Sequence, residues 1–265
     1  MPTQELKYIA ISPWVWSLPL LPLGVFAFDA LNTYDQLWFL SINHLASQLP
    51  YIIWTSLSLL GNGWSLFALL FPLMLIFRKP FYAAIISGAF TGVFSHIAKQ
   101  IANTSRPAGV LDQSTFHIID SPLLHSAMPS GHTMTAFSIA TAIFFSLPNH
   151  NRSRWSFIFL LALGTGISRI AVGAHWPQDV LVGSSMGIAS GLIGAILIER
   201  VPEHLFSISA WPFKIVSLAS AISLYILITE TLDFQLNKPI QMLLAALVLI
   251  TWAKLLVNYF HRQEQ

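Results

Sequence analysis

The chain of 265 residues is 55% hydrophobic and 9% charged with a mean hydropathy of +0.66, which excludes an ordinary water-soluble domain and points to an integral membrane protein. Thirteen Lys and Arg against eleven Asp and Glu leave a net charge of +2, too small a surplus for a nucleic-acid partner. The absence of cysteine excludes disulfide frameworks, thiolate metal sites, iron-sulfur clusters and thiol nucleophiles.

The first apolar stretch runs without a charge from Tyr8 to Phe28, with Lys7 the one basic side chain before it and no small-residue cleavage site after it. It reads as a retained span, not a signal peptide. Crossing about 30 Å of hydrocarbon takes roughly 20 apolar residues. Charge-free intervals of that size predict eight spans, near 10–29, 60–77, 80–100, 131–148, 155–172, 178–198, 211–229 and 239–257. Ahead of the second, Trp38, Ile42, Leu45 and Leu49 recur at helical spacing while Asn43, Ser47 and Gln48 point elsewhere. That pattern predicts an amphipathic helix in the headgroup plane, with a buried re-entrant helix as the alternative. Gly61-Asn62-Gly63 predicts a turn or kink. The longest polar interruption, Ala102 to Ser130, is broken by Pro107, Gly109, Asp112, Pro122 and Pro129 and reads as a functional loop. In the sixth span Gly183, Gly187 and Gly191 recur every fourth residue, which suits close internal helix packing more than homodimerisation. Residues 1–200 carry the chemistry-bearing motifs; residues 201–265 add two spans with an expected supporting role in the same membrane domain.

Eight crossings put both termini on one side, and Lys and Arg concentrate there as they do in cytoplasmic loops. That side holds Lys7, Arg78, Lys79, Arg152, Arg154, Arg200, Lys214, Lys254 and Arg262, whereas the other holds Lys99, Arg106, Arg169 and Lys238. The split predicts cytoplasmic termini. Three of the four outer cations fall between Lys99 and Asp179, where chemistry accounts for them.

Three outward clusters combine residue types that bind or attack a phosphate. The first is Lys99, six residues, then Arg106-Pro107; the second is Pro129-Ser130-Gly131-His132; the third is Ser168-Arg169, then His175 and Asp179. Singly, each cation reads as an interfacial snorkelling residue. Together, Lys99, Arg106 and Arg169 suit a phosphate dianion, Arg gripping two oxygens and Lys acting as a point charge. Ser130 can cap the fourth span, and Gly131 lets an anion approach free N–H groups at the positive end of the helix; the plainer reading is a loop-to-helix junction. His175 and Asp179 lie four apart across Trp176-Pro177, with Pro177 suited to the first helical turn. An Asp179 that accepts from one ring nitrogen leaves the other with a lone pair for attack. A hydrogen-bonded core histidine is the alternative. His132 supplies a second histidine, which permits a nucleophile and a separate general acid. His132, His175 and Asp179 would also make a zinc ligand set, but three nearby cations repel a divalent ion and can neutralise a phosphoryl group themselves.

In order and spacing, these three clusters resemble the signature motifs of the type 2 phosphatidic acid phosphatase superfamily. The resemblance implies an all-α, polytopic transmembrane helical bundle: a six-helix phosphatase core, to which residues 201–265 add two C-terminal helices. It implies that His175 is the nucleophile, forming a phosphohistidine, that Asp179 orients it, and that His132 protonates the leaving oxygen and later takes a proton from water. Lys99, Arg106, Ser130, Gly131 and Arg169 would hold the phosphoryl oxygens, and Ser168 and Pro107 would have supporting roles. No metal or cofactor is implied. His117, Asp120 and His125 are weaker candidates for headgroup contact. Asn103-Thr104-Ser105 fits a glycosylation acceptor but lies inside the first motif, where a glycan would obstruct the site.

The expected partner is a membrane lipid phosphate or diphosphate: a polyprenyl diphosphate, phosphatidylglycerol phosphate, phosphatidic acid or a lipid A-type glycolipid. The expected setting is a bacterial inner membrane with an extracytoplasmic site. A lipid-to-lipid phosphotransferase would carry the same motifs, and a lipid-phosphate transporter or binding protein is the reading from another class; binding alone needs no nucleophile.

Overall fold

The computed structural model describes residues 12–32 and 34–263; Lys7 and the start of the first expected span lie outside them. Among the described residues the regular structure is helical throughout. In chain order the helices are α1 (Leu20–Asn32), α2 (Asp35–Ala46), α3 (Tyr51–Leu59), α4 (Gly63–Leu70), α5 (Leu73–Ile76), α6 (Arg78–Ala102), α7 (Gly131–Ser146), α8 (Asn149–Trp155), α9 (Phe157–Ala171), α10 (Pro177–Glu199), α11 (Trp211–Thr229) and α12 (Lys238–Gln263).

Four helical stretches are long and apolar enough to cross a membrane singly: Arg78–Gly109, Pro177–Glu199, Glu203–Thr229 and Gln235–His261. Tyr51–Leu59 and Gly63–Ile76 qualify as a pair, bent by 76° at the break. The chain is therefore an integral membrane protein of helical bundle type. The break is the predicted Gly61-Asn62-Gly63 kink, but the bent unit starts nine residues before the expected position 60, at Tyr51. At 16 and 15 residues, α7 and α9 reach only about 24 and 22 Å at 1.5 Å per residue, less than the hydrocarbon thickness. Both pack inside the bundle: α7 contacts α6, α9 and α10, and α9 contacts α2, α3 and α7.

The centre is α6, α7 and α10, and the glycine stripe explains how closely they meet. A methyl group on Gly183 would stand 2.7 Å from the Ser130 carbonyl, one on Gly187 2.5 Å from that of Met134, and one on Gly191 2.5 Å from that of Ser138. Only a bare backbone fits against α7 at these points. The Ser87 and Ser138 hydroxyls bond to each other and tie α6 to α7.

Helix α2 departs from the expected pattern. Leu45 and Leu49 face outward, while the buried face is Phe39, Asn43 and Ala46, so Asn43 lies at the heart of the packing rather than on a polar side. Its amide explains the cost being met: Nδ2 donates to the carbonyls of His117 (2.9 Å), Ile170 (3.2 Å) and Ala171 (3.1 Å), and Oδ1 accepts from the His117 N–H (2.8 Å). One side chain thus satisfies the open C-terminal end of α9 and fastens the long loop to it.

The C-terminal pair α11 and α12 packs on α4, and Trp252 sits beside Phe71 and Phe213 in the main hydrophobic cluster. Lys238 Nζ donates to the carbonyls of Leu227 (3.3 Å), Ile228 (2.8 Å) and Glu230 (2.8 Å), closing the C-terminal end of α11.

Candidate active site

The three motifs converge at one end of the bundle: the C-terminal end of α6, the N-terminal end of α7, and the junction of α9 with α10. Pro177 occupies the first turn of α10, as its fixed φ favours. Asp179 reaches back so that its Oδ2 accepts from the Trp176 N–H at 2.8 Å, capping the helix, and from His175 Nδ1 at 3.2 Å. His175 and Asp179 are 2% and 1% exposed, so this pair is shielded from competing water. The turn that carries His175 is held by the Arg169 carbonyl, which accepts from the N–H groups of Ala174 (3.0 Å) and His175 (3.1 Å).

Arg106 Nη1 lies 3.2 Å from His175 Nε2. A guanidinium has only donors, so Nε2 is the acceptor and the proton resides on Nδ1, facing Asp179. The imidazole is therefore neutral with its lone pair on Nε2. Burial comes first among the causes that hold its pKa well below the ordinary histidine range, followed by the charges of Arg106, Arg169 and Lys99. Arg106 also donates to the carbonyls of His125 (2.8 Å) and Ala174 (3.1 Å), and Lys99 Nζ donates to that of Ser126 (2.9 Å). The His125 backbone thus helps to anchor Arg106.

Arg169 is 4% exposed, donates to the Ser58 hydroxyl, and keeps its Nε unpartnered. It lines a cavity of about 260 Å³ with Asp120, Gly173, Asp233 and Phe234. Ser130 N donates to the Asp179 carbonyl at 3.0 Å, joining the second motif to the third. Ser130 stands at the N-cap of α7 without making the expected capping bond; its buried hydroxyl accepts from Thr133 Oγ1 at 2.9 Å. A methyl on Gly131 would lie 3.3 Å from Ser95 Oγ, so this close junction also favours glycine. Ser168 Oγ bonds back to the Thr165 carbonyl at 2.6 Å and Pro107 opens a short 3₁₀ turn, so both support the scaffold. In Asn103-Thr104-Ser105, Asn103 ends α6 in a left-handed conformation (φ 42°) and Thr104 Oγ1 accepts from the Met128 N–H at 3.0 Å.

Two residues at the site were not anticipated. His132 Nε2 lies 3.0 Å from Oδ2 of Asp233, in the loop between α11 and α12. The Asn62 side chain bonds the same carboxylate. Burial alone would raise the pKa of Asp233, but His132, Arg169 and the Asn62 bond outweigh it and hold the group below the ordinary carboxylate range. No local motif surrounds Asp233; the usable signal was a pair of acids, Glu230 and Asp233, in a short loop on the outer side of the predicted topology.

The PAP2 superfamily model matches residues 79–202. A lipid A 1-phosphatase of Rhizobium johnstonii is 35% identical over 131 residues, 46% of this chain and 50% of that protein. The crystal structure of Aquifex aeolicus LpxE superposes with a TM-score of 0.53 at 31% identity, covering 60% of this chain and 93% of that one. A Bacillus subtilis transmembrane PAP2-type phosphatidylglycerolphosphate phosphatase shares the fold with a TM-score of 0.51 at 20% identity, over 71% of this chain and 98% of its own. The chain spans about half or less of the length of the first curated relatives it matches.

Proposed function

Since the chain belongs to the PAP2 superfamily, we propose that it removes a phosphate from a membrane lipid without a metal, through a phosphohistidine on His175. The observation that carries this reading is the buried His175 imidazole, with Nδ1 turned to Asp179 and the Nε2 lone pair turned to Arg106. Arg106 stands where a phosphoryl group would enter. Nε2 attacks phosphorus, the bond from phosphorus to the lipid oxygen breaks, and His132 hands that oxygen a proton. Asp179 stabilises the positive ring left on His175. Water then gives a proton to His132 and attacks the phosphorus–nitrogen bond, releasing inorganic phosphate and restoring both histidines. Lys99, Arg106 and Arg169 meet the phosphoryl charge, and the unused Nε of buried Arg169 is a donor that an oxyanion would satisfy.

The lipid A 1-phosphatase relatives favour a lipid A-type glycolipid phosphate as the substrate. The reading extends to eight membrane crossings, an extracytoplasmic site and a bacterial inner membrane. Purified full-length protein should release phosphate from a lipid A-type phosphate in preference to prenyl diphosphates and glycerophospholipids, and EDTA should leave the rate unchanged. His175→Ala should abolish turnover while substrate still binds, and loss of one of the three cations should lower kcat by about 100-fold or more. Substantial activity in His175→Ala, or EDTA inhibition reversed by zinc, would overturn the mechanism. Appearance of the phosphate on a second lipid would make the protein a transferase.

A further inference from the structure

We propose that Asp233 is the positioning residue of His132, so that the loop between α11 and α12 completes the active site. The inference rests on the phosphohistidine reading above but concerns a residue outside the matched stretch 79–202.

The loop is built to present this carboxylate. Phe234 is buried against Val172 and Ala174, beside the turn that carries His175. Asn237, fully buried, donates Nδ2 to the Thr55 carbonyl at 3.0 Å, and Lys238 closes α11 from the other side. Asp233 itself adopts φ 57°, a left-handed conformation that a non-glycine residue takes at some cost and that Asp tolerates better than most. From the opposite wall, Asn62 holds the carboxylate while its Oδ1 caps α4 through the Trp64 N–H at 3.1 Å. Gly61 closes the fit: a methyl there would stand 2.5 Å from His132 Cβ. The Gly-Asn-Gly break therefore backs the histidine with its first residue and the acid with its second.

The chemistry follows from the bond. Asp233 accepts from Nε2–H, so the proton that His132 exchanges travels on Nδ1, and the carboxylate stabilises the doubly protonated ring that acts as general acid. His132 gives the Nδ1 proton to the leaving lipid oxygen and regains one from water in the second half-reaction. The site then holds two His–Asp pairs, His175 with Asp179 for attack and His132 with Asp233 for proton transfer. Asp233 also shares the 260 Å³ cavity with Arg169, which raises the opposite possibility that it plugs the phosphate subsite. Its bonds to His132 and Asn62 favour the positioning role.

The test compares leaving groups in the full-length protein. With a lipid phosphate, whose alkoxide needs a proton, Asp233→Asn should lower kcat by about 100-fold with KM changed less than about threefold. With p-nitrophenyl phosphate, whose phenolate leaves unprotonated, the first-turnover burst should stay close to wild type. Asp233→Glu should recover part of the lipid rate. Asn62→Ala, which loosens the carboxylate without removing it, should repeat the pattern at about fivefold and serves if Asp233→Asn does not fold. Equal losses on both substrates would reduce Asp233 to a structural residue, and a faster enzyme with lower KM would make it a plug; either overturns the proposal while the phosphoenzyme still forms. A wild-type protein that forms no phosphoenzyme would instead overturn the mechanism beneath it.

Discussion

Asp179 shows how one side chain can serve stability and chemistry together: the oxygen that caps α10 also sets the tautomer of His175. Because burial and the surrounding cations depress the pKa of His175, protonation that would silence Nε2 requires more acid than for a free histidine near 6.5. The sign for stability is the reverse of a charged, paired histidine. Below about pH 6.5 the unfolded chain takes a proton that the folded site refuses, so this residue makes the fold less stable as pH falls. For activity we expect the acid limb of kcat/KM to rise toward neutral pH in Arg169→Gln, since one of the charges opposing protonation is removed. An unchanged or lowered limb in the pH–rate profile would show that Arg169 does not act on His175 electrostatically.

At the scale of the element, the kink between α3 and α4 is the most informative junction. Gly61→Ala would push a methyl into His132 Cβ at 2.5 Å and its Cα and carbonyl at 2.8 Å, contacts that only a shift of α7 can relieve. We expect kcat on a lipid phosphate to fall by at least about tenfold and Tm to drop, because overpacking typically costs about 1–3 kcal/mol; Gly63→Ala, with nothing near its added methyl, should do neither. Kinetics and thermal unfolding of the two variants side by side check this. The contrast also shows what could be read from the chain. One glycine-flanked break, Gly61-Asn62-Gly63, and a stripe of three glycines at every fourth residue announce a bend and a close helix contact through local backbone freedom. That the bend abuts His132, and that Asn43 would leave the polar side of α2 to collect three carbonyls, depends on partners 71 to 128 residues away. The phosphate motifs were legible because their spacing is local; Asp233 was not, because its partner is 101 residues distant.

Over the whole molecule, charge and architecture agree on a polarity. Helices α6, α7 and α10 each place a motif residue at one end, Lys99, His132 and Asp179, and cations or their partners at the other. At that far end Lys79 pairs with Glu199 at 2.7 Å, and Arg152 donates to the carbonyls of Phe145 (2.7 Å) and Leu147 (3.1 Å). The basic end suits the cytoplasm, where cations accumulate, so the site should face outward. Cysteine is absent from the sequence, which lets single substitutions report without background. Ser114→Cys and Gln235→Cys lie on exposed loop positions at the site end, and Ser153→Cys is exposed at the basic end. With a membrane-impermeant thiol reagent on intact cells, positions 114 and 235 should label at once and position 153 only after the membrane is opened. The opposite pattern would place the site in the cytoplasm, and labelling of 114 and 235 from different sides would break the count of eight crossings.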